Sequence, residues 1–354
     1  MPVVAKSLAC LFRESGPIVA AGAHDALSAR LVAAAGFDAV WASGFGISAV
    51  RAVPDASILT MSETLEAVRA MSDATPIPVI ADCDTGFGNA INVMRTVTEF
   101  ERAGVAAISL EDNVFPKRCS FYPGVTRDLV PIEEHARKIA AAKSARSSPE
   151  FLVIARTEAL IAGWGREHAL GRARAYAEAG ADAILIHSKQ PDLRELAEVA
   201  QGWELPTPLV AVPTTYVGAS LGELTAAGFK LIIYANQALR AAVSAMRDAL
   251  RALREGEAAQ LEQRVAPLED IYSLVGVDDL QENEARFLLP RGHESPALVR
   301  AANEGHANSE RIRDRGKNVL GIESPAALER PLRTLNASGI NDVAVVRGYR
   351  KGRS

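Results

Sequence analysis

One pattern repeats along this sequence and limits the folds open to it: a short apolar run followed by an alanine-rich stretch with helical spacing. Eight such runs occur: PIVAAGA (17–23), DAVWASG (38–44), IPVIADCD (77–84), VAAISLED (105–112), FLVIART (151–157), DAILIHS (182–188), PLVAVPT (208–214) and KLIIYAN (230–236). Continuous apolar runs are typical of parallel strands covered on both faces. Eight strand and helix units over roughly 250 residues predict a (β/α)₈ TIM-type barrel, with an open doubly wound sheet as the alternative.

The chain continues beyond the eighth run with more helices and then changes character. The segment QALRAAVSAMRDALRALREG has the spacing of a long amphipathic helix, and one or two shorter helices are predicted before Pro290. We therefore assign residues 1–290 to the barrel with its C-terminal helices. Residues 291–354 form a short tail, polar at first and apolar near its end, which is too small to be a domain alone.

Composition argues against several classes of function. The 39 basic and 43 acidic residues are spread along the chain, so neither nucleic acid nor a membrane surface is an expected partner. The N-terminus lacks the features of a signal peptide, and no apolar stretch reaches the roughly 18 residues of a membrane span. These features predict a cytoplasmic protein. Cys10, Cys83 and Cys119 are too widely spaced for a disulfide framework or a zinc site.

Acidic side chains gather where two neighbouring strands are predicted to end, which is where barrel enzymes carry their active sites. Asp82 and Asp84 close the third run and Glu111 closes the fourth. Residues two apart in an extended strand point the same way, so these three carboxylates are expected to converge. With no neighbouring lysine they would repel one another unless a hard divalent cation lay among them, which predicts Mg²⁺. The structural alternative is that the acids cap helices and pair with arginines.

Basic and nucleophilic side chains are expected across the same opening. Arg156 and His187 would suit a phosphoryl group held opposite the metal, and the alternative is an Arg156–Glu158 pair beside a core histidine. Cys119 lies in the loop EDNVFPKRCSFYPG, which could close over a ligand. The neighbouring Lys117 and a second basic residue predict a lowered pKa for its thiol.

Eight segments together resemble a known family. They are WASGFGIS, VPDASILTMSE, IADCDTGFGNA, EDNVFPKRCS, IARTEALIAGWG, AGADAILIHSK, VPTTY and YANQALRAAVSA, and the resemblance covers residues 15–290. In order and spacing they resemble the phosphoenolpyruvate mutase and isocitrate lyase superfamily, closest to phosphoenolpyruvate mutase and phosphonopyruvate hydrolase. The resemblance implies a barrel whose last helix is exchanged between paired subunits in a homodimer or homotetramer.

The resemblance also implies roles for individual residues. The catalytic residues would be Asp55, Cys119, Arg156 and His187; the substrate-binding residues Trp41, Ser43, Gly44, Phe45 and Lys117; and the Mg²⁺ ligands Asp82, Asp84 and Glu111. Ser43 and Gly44 would offer backbone N–H groups to a small 2-oxo acid, with Trp41 stacked over it. The implied chemistry moves a phosphoryl group between the enol oxygen and C3 of pyruvate, beneath a lid formed by residues 113–126.

The lid departs from the mutase pattern at two positions. Mutases of this kind carry EDK followed after five residues by NS, whereas this chain has Asn113 and Cys119. Hydrolases carry threonine where Cys119 stands, and C–C lyases of the 2-methylisocitrate lyase type carry a proton-delivering cysteine. His187 and VPTTY argue against a lyase. We predict a phosphonomutase, with a hydrolase, a lyase that uses Cys119, or a non-catalytic binding barrel as alternatives.

The tail resembles part of a nucleotidyltransferase domain of a kind that is fused to some phosphoenolpyruvate mutases. The resemblance lies in GKNVLGIESPAALERPLRTLNASGINDVAVVRGYRKG. The glycine-rich nucleotide loop expected before this segment is replaced by AANEGHANSER, so no transferase activity is expected. The fragment favours phosphonate biosynthesis over phosphonate breakdown.

Overall fold

The computed structural model describes residues 6–288 in full and the backbone of 311–314 and 317–320. Eight parallel strands close into a barrel in chain order, and β1 pairs with both β2 and β8. The strands are β1 Ile18–Ala23, β2 Ala39–Ala42, β3 Val79–Asp82, β4 Ala107–Glu111, β5 Leu152–Thr157, β6 Ala183–Ile186, β7 Leu209–Ala211 and β8 Phe229–Tyr234. The predicted (β/α)₈ barrel is confirmed, and the open-sheet alternative is wrong because the first and last strands are hydrogen-bonded.

Helices surround the barrel and continue beyond its last strand. They are α1 Leu8–Arg13, α2 Ala26–Ala34, α3 Gly44–Val50, α4 Met61–Ala74, α5 Ala90–Arg102, α6 Ile132–Ala145, α7 Arg166–Glu178, α8 Arg194–Gln201, α9 Leu221–Ala226, α10 Gln237–Arg254, α11 Ala258–Glu262, α12 Leu268–Val275 and α13 Val277–Phe287. Glycines in the left-handed region follow two of these helices, Gly36 (φ 82°) after α2 and Gly180 (φ 100°) after α7. Among the residues described, no helix is long and apolar enough to cross a membrane.

Side chains of each strand alternate between two separate apolar layers. On β5, Leu152 and Ile154 belong to the interior layer, while Val153 and Ala155 belong to the layer between strands and helices. Leu8 of α1 lies in the interior cluster and is fully buried. Alternation of this kind follows from the pleat of a strand. The interior is therefore packed with side chains and is not a channel.

Contacts divide the chain into two units, residues 1–275 and residues 276–354. In the first unit, α10 and α12 carry exposed apolar side chains, among them Leu250, Leu253, Leu268 and Val275. In the second, the structure describes α13 and an antiparallel hairpin of β9 Arg311–Asp314 and β10 Lys317–Leu320. The hairpin was not predicted. The helix and strand predicted near the end of the tail lie outside the described residues.

The close approach of β1 to the chain after β8 makes Gly22 the most restrictive position of the barrel wall. A Cβ at Gly22 would lie 2.0 Å from the carbonyl oxygen of Ala235. We expect Gly22→Ala to lower the free energy of unfolding by about 1–3 kcal/mol or more, because backbone would have to shift. Chemical denaturation measures this loss.

Gly171→Ala is the matched control, since Gly171 lies within α7 and a Cβ there would meet nothing within 4 Å. It should leave stability unchanged or raise it by up to about 1 kcal/mol, the helix preference of alanine over glycine. Equal losses in the two variants would contradict the packing argument.

Candidate active site

Charged side chains end the interior layer at the carboxyl ends of the strands. On β5, Arg156 follows Leu152 and Ile154 in the interior series. By the same alternation, Asp82 ends β3 and Glu111 ends β4, and all three charged residues are buried. The barrel's own pleat therefore places two of the predicted acids opposite the predicted arginine. His187 follows β6 directly and is 4% exposed.

Asp84 joins this group through a turn rather than through the strand. The strand β3 stops at Asp82, and Asp84 has a φ of 50°, in the left-handed region. Asp82 and Asp84 were expected to point the same way because both would lie in an extended strand. That reason is wrong, since only Asp82 belongs to the strand. The carbonyl oxygen of Asp84 accepts a hydrogen bond from the Glu111 N–H at 2.8 Å, which ties the turn to β4. Such backbone conformations cost about 1–3 kcal/mol and cluster at functional sites.

A lysine from the lid lies among the acids. The Nζ of Lys117 is 2.8 Å from Asp55 Oδ1 and 2.8 Å from Asp84 Oδ1, and the residue is 3% exposed. The expectation that no lysine neighbours these acids is wrong, because the lid brings in a residue from far along the chain. The remaining cavity, lined in part by Gly44, Asp55, Asp82 and Asp84, measures about 10 Å³. That is room for about one water molecule.

Arg156 contacts three acids at once. Its Nε lies 2.7 Å from Glu158 Oε1, its Nη2 lies 3.3 Å from Glu111 Oε2, and its Nη1 lies 3.9 Å from Asp82 Oδ2. The structural alternative, a pair with Glu158, is therefore present together with the expected position beside the acid cluster. The Nδ1 of His187 is 2.9 Å from Glu158 Oε1 as well. Its buried Nε2 has no hydrogen-bond partner within the described part of the chain.

Burial controls the protonation of this cluster. It raises the pKa of Glu111 to about 8 and that of Asp84 to about 6, although Arg156 and Lys117 oppose the shift. Burial opposes the charge on Lys117, but Asp84, Glu111 and Asp55 together outweigh it and raise the pKa of this lysine well above its usual value. Burial also lowers the pKa of His187, which leaves a neutral imidazole at neutral pH.

The acid cluster suits a hard cation, although it is closed by protein cations in this structure. No three His, Cys, Asp or Glu side chains of the described residues converge as a ready metal site, and Lys117 and Arg156 lie between the acids. The buried Oε2 of Glu111 has an ion-pair contact with Arg156 but makes no hydrogen bond in the described part. A Cβ at Gly44 would lie 3.3 Å from carboxylate oxygens of Asp82 and Asp84, so its absence leaves space beside them. All-oxygen donors are what Mg²⁺ prefers.

The lid is held down on the loop that carries Asp55. The backbone N–H of Cys119 donates to Asp55 O at 3.1 Å, and the Asp55 N–H donates to Tyr122 Oη at 2.9 Å. Ser120 reaches the charged cluster, because its hydroxyl donates to Glu158 Oε2 at 2.6 Å and accepts from Arg156 Nη2 at 2.8 Å. The predicted lid and the predicted catalytic residues therefore form one contact network.

The expectation of a lowered pKa for the Cys119 thiol is wrong. Burial raises the pKa of Cys119 above its usual value, and the nearby Asp55 raises it further. Lys117 lowers this pKa only in part, and its own ammonium group is paired with Asp55 and Asp84. The thiol is therefore protonated at neutral pH and is a poor nucleophile.

The predicted substrate-binding residues of β2 and α3 lie at the same end of the barrel. Trp41 is 2% exposed and packs in the interior layer. Ser43 caps α3, and its hydroxyl accepts from the Gly46 N–H at 3.1 Å. Its backbone N–H donates to Ala23 O at 3.0 Å, so the expectation that this amide faces the substrate is wrong. Gly44 and Phe45 form the first turn of α3, ahead of its first internal backbone hydrogen bond.

Sequence reasoning missed two polar contacts that complete the site. Asn113, noted only as a departure from the mutase pattern, donates through Nδ2 to Glu111 Oε1 at 2.8 Å. Ser120 was not singled out, although it joins Arg156 and Glu158. The one available signal in the sequence was the place of Ser120 in the predicted lid, directly after Cys119.

Comparison with known proteins gives this geometry a family. The sequence model of the family described as phosphoenolpyruvate phosphomutase matches residues 8–254. The chain belongs to this family. The resemblance inferred from eight sequence segments is confirmed. The chain is an enzyme of the phosphoenolpyruvate mutase and isocitrate lyase superfamily. The nucleotidyltransferase resemblance of the tail stays a prediction.

Members with different activities are similar to this chain. Phosphonopyruvate hydrolase from Variovorax sp. (strain Pal2) is 46% identical over 280 residues, covering 78% of this chain and 96% of the relative. A solved phosphonopyruvate hydrolase in complex with oxalate and Mg²⁺ has a TM-score of 0.75 and 44% identity, covering 80% of this chain and 98% of that one.

A mutase and a lyase are similar as well. The crystal structure of phosphoenolpyruvate phosphomutase from Streptomyces platensis subsp. rosaceus has a TM-score of 0.78 and 48% identity, covering 80% of this chain and 98% of that one. The 2,3-dimethylmalate lyase of Eubacterium barkeri is 43% identical over 231 residues, covering 64% of this chain and 78% of the relative. Membership of the family therefore leaves the reaction to be argued from the site.

Binding of Mg²⁺ is expected to strengthen as the pH rises from about 6 to about 8. The metal binds the carboxylate forms of Asp84 and Glu111, whose pKa values are raised to about 6 and about 8, so protons compete for both at the lower pH. Isothermal titration with Mg²⁺ should show an apparent affinity at least about 10-fold higher at the upper end of this range.

Glu111→Gln is the control for this titration. It removes the group with the higher pKa, so the remaining pH dependence should move towards that of Asp84. An affinity that stays constant across the range in the parent protein would exclude these two acids as the metal ligands.

Proposed function

We propose that the chain catalyses the Mg²⁺-dependent interconversion of phosphoenolpyruvate and phosphonopyruvate. The phosphoryl group would move between the enol oxygen and C3 of pyruvate. The observation that carries this proposal is a closed pocket in which an acid cluster faces Arg156 and His187 beneath a lid that contributes Lys117 and Ser120. A loose, metaphosphate-like group reacts with water unless the site excludes it, and the burial of the lid residues Lys117 and Ser120 supports such exclusion.

Asp82, Asp84 and Glu111 would hold Mg²⁺, partly through water. When bound, Mg²⁺ would stabilise the negative charge of the enolate oxygen as a Lewis acid. The amides of Gly44 and Phe45 at the start of α3 would orient the carboxylate and oxo groups of pyruvate, and Trp41 would pack against its plane. The similar phosphonopyruvate hydrolase was solved in complex with oxalate and Mg²⁺, which supports a cation and a small dicarboxylate as ligands of this chain.

Arg156, His187 and Lys117 would hold the phosphoryl group as it moves. Glu158 fixes the guanidinium of Arg156 through a 2.7 Å contact, which leaves its Nη atoms directed towards Asp82 and Glu111. Asp55 would face the migrating group and, through its contacts with Lys117, would set the position of that ammonium group. These donors are positioned before the reaction, so little reorganisation is needed as charge moves.

The burial of the lid favours a mutase over a hydrolase, whereas its residues Asn113 and Cys119 depart from the mutase sequence pattern. Residues Lys117 and Ser120 are 3% and 8% exposed, and both contact the charged cluster from above. A hydrolase must instead admit and orient a water molecule at the transferred group. The resemblance of the tail to a nucleotidyltransferase fragment supports a place in phosphonate biosynthesis.

A C–C lyase of the 2-methylisocitrate lyase type is the second candidate, and Cys119 favours it. Burial raises the pKa of its thiol, so Cys119 carries the proton that a general acid must deliver to a carbanion. The similarity to 2,3-dimethylmalate lyase supports this alternative. His187, where lyases commonly place a glutamate, argues against it.

The enzyme would act as a cytoplasmic homodimer or homotetramer. The support is the row of exposed apolar side chains on the helices after the barrel, which includes Leu250 and Leu253 of α10 and Leu268 of α12. Exposed apolar surface of this kind is typical of faces that another subunit covers. The family resemblance implies that the last helix is the exchanged element.

Phosphorus NMR of the purified protein with Mg²⁺ and phosphonopyruvate tests the proposed reaction. Appearance of phosphoenolpyruvate is expected, and free phosphate without it would indicate the hydrolase. An unchanged spectrum would favour the lyase. Asp55→Ala should lose turnover, whereas Asp192→Ala, which changes a partly exposed loop residue paired with Arg194, should keep the parent rate.

Substitutions of Cys119 test whether this lid residue influences which reaction the enzyme catalyses. If an amide at this position completes the mutase lid, Cys119→Asn should raise the rate of phosphoenolpyruvate formation by about 10-fold, and Cys119→Ser should not. The matched comparison keeps the backbone contact of residue 119 with Asp55 in both variants. Equal rates in the two variants would remove this side chain from the mechanism.

A further inference from the structure

Asp112 directly follows Glu111, the last residue of β4, but the two side chains have different partners. Glu111 belongs to the interior series, and the next residue therefore faces the helices. The buried Asp112 carboxylate accepts hydrogen bonds from Thr157 Oγ1 at 2.9 Å, from Arg172 Nη1 at 3.0 Å and from Tyr176 Oη at 2.8 Å. Grouping Asp112 with the metal acids would be wrong, because it is bound to α7.

The other carboxylate oxygen of Asp112 is linked to the active site through the backbone N–H of Glu158. Asp112 Oδ1 accepts from the Glu158 N–H at 2.9 Å. The Glu158 side chain in turn contacts Arg156 Nε at 2.7 Å, His187 Nδ1 at 2.9 Å and the Ser120 hydroxyl at 2.6 Å. One carboxylate therefore fixes the residue that holds two phosphoryl-binding groups and the lid.

The same network also holds the chain at Val130, four residues after the lid. The Val130 N–H donates to Asp112 O at 3.0 Å, and the Val130 carbonyl accepts from Arg172 Nη2 at 3.0 Å. Val130 precedes α6, which begins at Ile132. Arg172 thus contacts both Val130 and Asp112, while Tyr176 Oη accepts from Arg172 Nη1 at 2.9 Å.

We propose that Tyr176 and Arg172 are positioning residues for the reaction of this site. They hold Asp112 so that Glu158 presents Arg156 and His187 in one arrangement, and they fix the chain at Val130 from which the lid extends. The catalytic part of this proposal rests on the proposed function, whereas the coupling of α7 to Glu158 and Val130 does not.

The cost of burying this network argues against a purely structural role. Arg172 is 3% exposed, and Asp112 and Tyr176 are fully buried. A buried ion pair contributes little net stability compared with apolar side chains of similar volume. An apolar cluster could not orient the backbone N–H of Glu158, because that N–H needs a hydrogen-bond acceptor such as Asp112 Oδ1.

Tyr176→Phe is the sharpest test, because it removes one hydroxyl and leaves the ring in place. Tyr216→Phe is the matched control: Tyr216 is also fully buried, and its hydroxyl accepts from the Val212 N–H at 3.0 Å near the end of β7. We expect Tyr176→Phe to lower kcat by about 10-fold with little change in KM, and Tyr216→Phe to keep kcat within about 2-fold.

Hydrogen exchange of the full chain gives a readout that does not depend on turnover. In Tyr176→Phe the amides of Glu158 and Val130 should exchange about 10-fold faster than in the parent protein, and in Tyr216→Phe they should not. Arg172→Lys keeps a positive charge beside Asp112, but a single ammonium group cannot also reach Val130. It should therefore speed exchange at Val130 more than at Glu158.

The outcomes separate the two claims. Unchanged exchange at Glu158 and Val130 in Tyr176→Phe, or the same changes in Tyr216→Phe, would overturn the positioning role. Faster exchange with an unchanged kcat would also overturn it, because the coupling would then not serve the reaction. Faster exchange in a protein whose parent form turns over neither phosphonopyruvate nor phosphoenolpyruvate would support the coupling and overturn the proposed reaction instead.

Discussion

Alternation of side chains along the strands of a closed barrel is the constraint on which the rest of this structure depends. Each strand residue faces either the interior or the helices, and a closed barrel has no edge where this choice could be relaxed. The interior series therefore delivers Asp82, Glu111 and Arg156 to one opening. The opposite series delivers Asp112 to α7, where it holds the backbone of Glu158.

Charge compensation determines how that opening closes. Several buried carboxylates would be unstable together, and in this structure Arg156 and the lid residue Lys117 lie between them. The lid is therefore held by the same acids that would bind Mg²⁺. If Asp84 binds Mg²⁺ as proposed, its contact with Lys117 would be exchanged for the metal, which would link the position of the lid to the occupancy of the site.

Much of the fold and part of the site follow from local sequence. Each apolar run overlaps one strand. The ends of these strands identify Asp82, Glu111, Arg156 and His187, because the position of a residue along a strand fixes the direction of its side chain. Asp84 joins them for a different reason, a left-handed turn that an extended strand does not describe. The pKa of Cys119 is raised rather than lowered because burial, which sequence neighbours do not reveal, outweighs the adjacent basic residues.

The sequence by itself determined the barrel, the family and the strand ends that carry the acids, because short-range periodicity and motif order are written along the chain. Only the tertiary structure decided the partners of those acids. Lys117 reaches Asp55 and Asp84, and Tyr176 reaches Asp112, across separations that no local pattern encodes. Such contacts depend on how the loops and helices pack around the closed barrel, so they emerge only when the whole chain is folded.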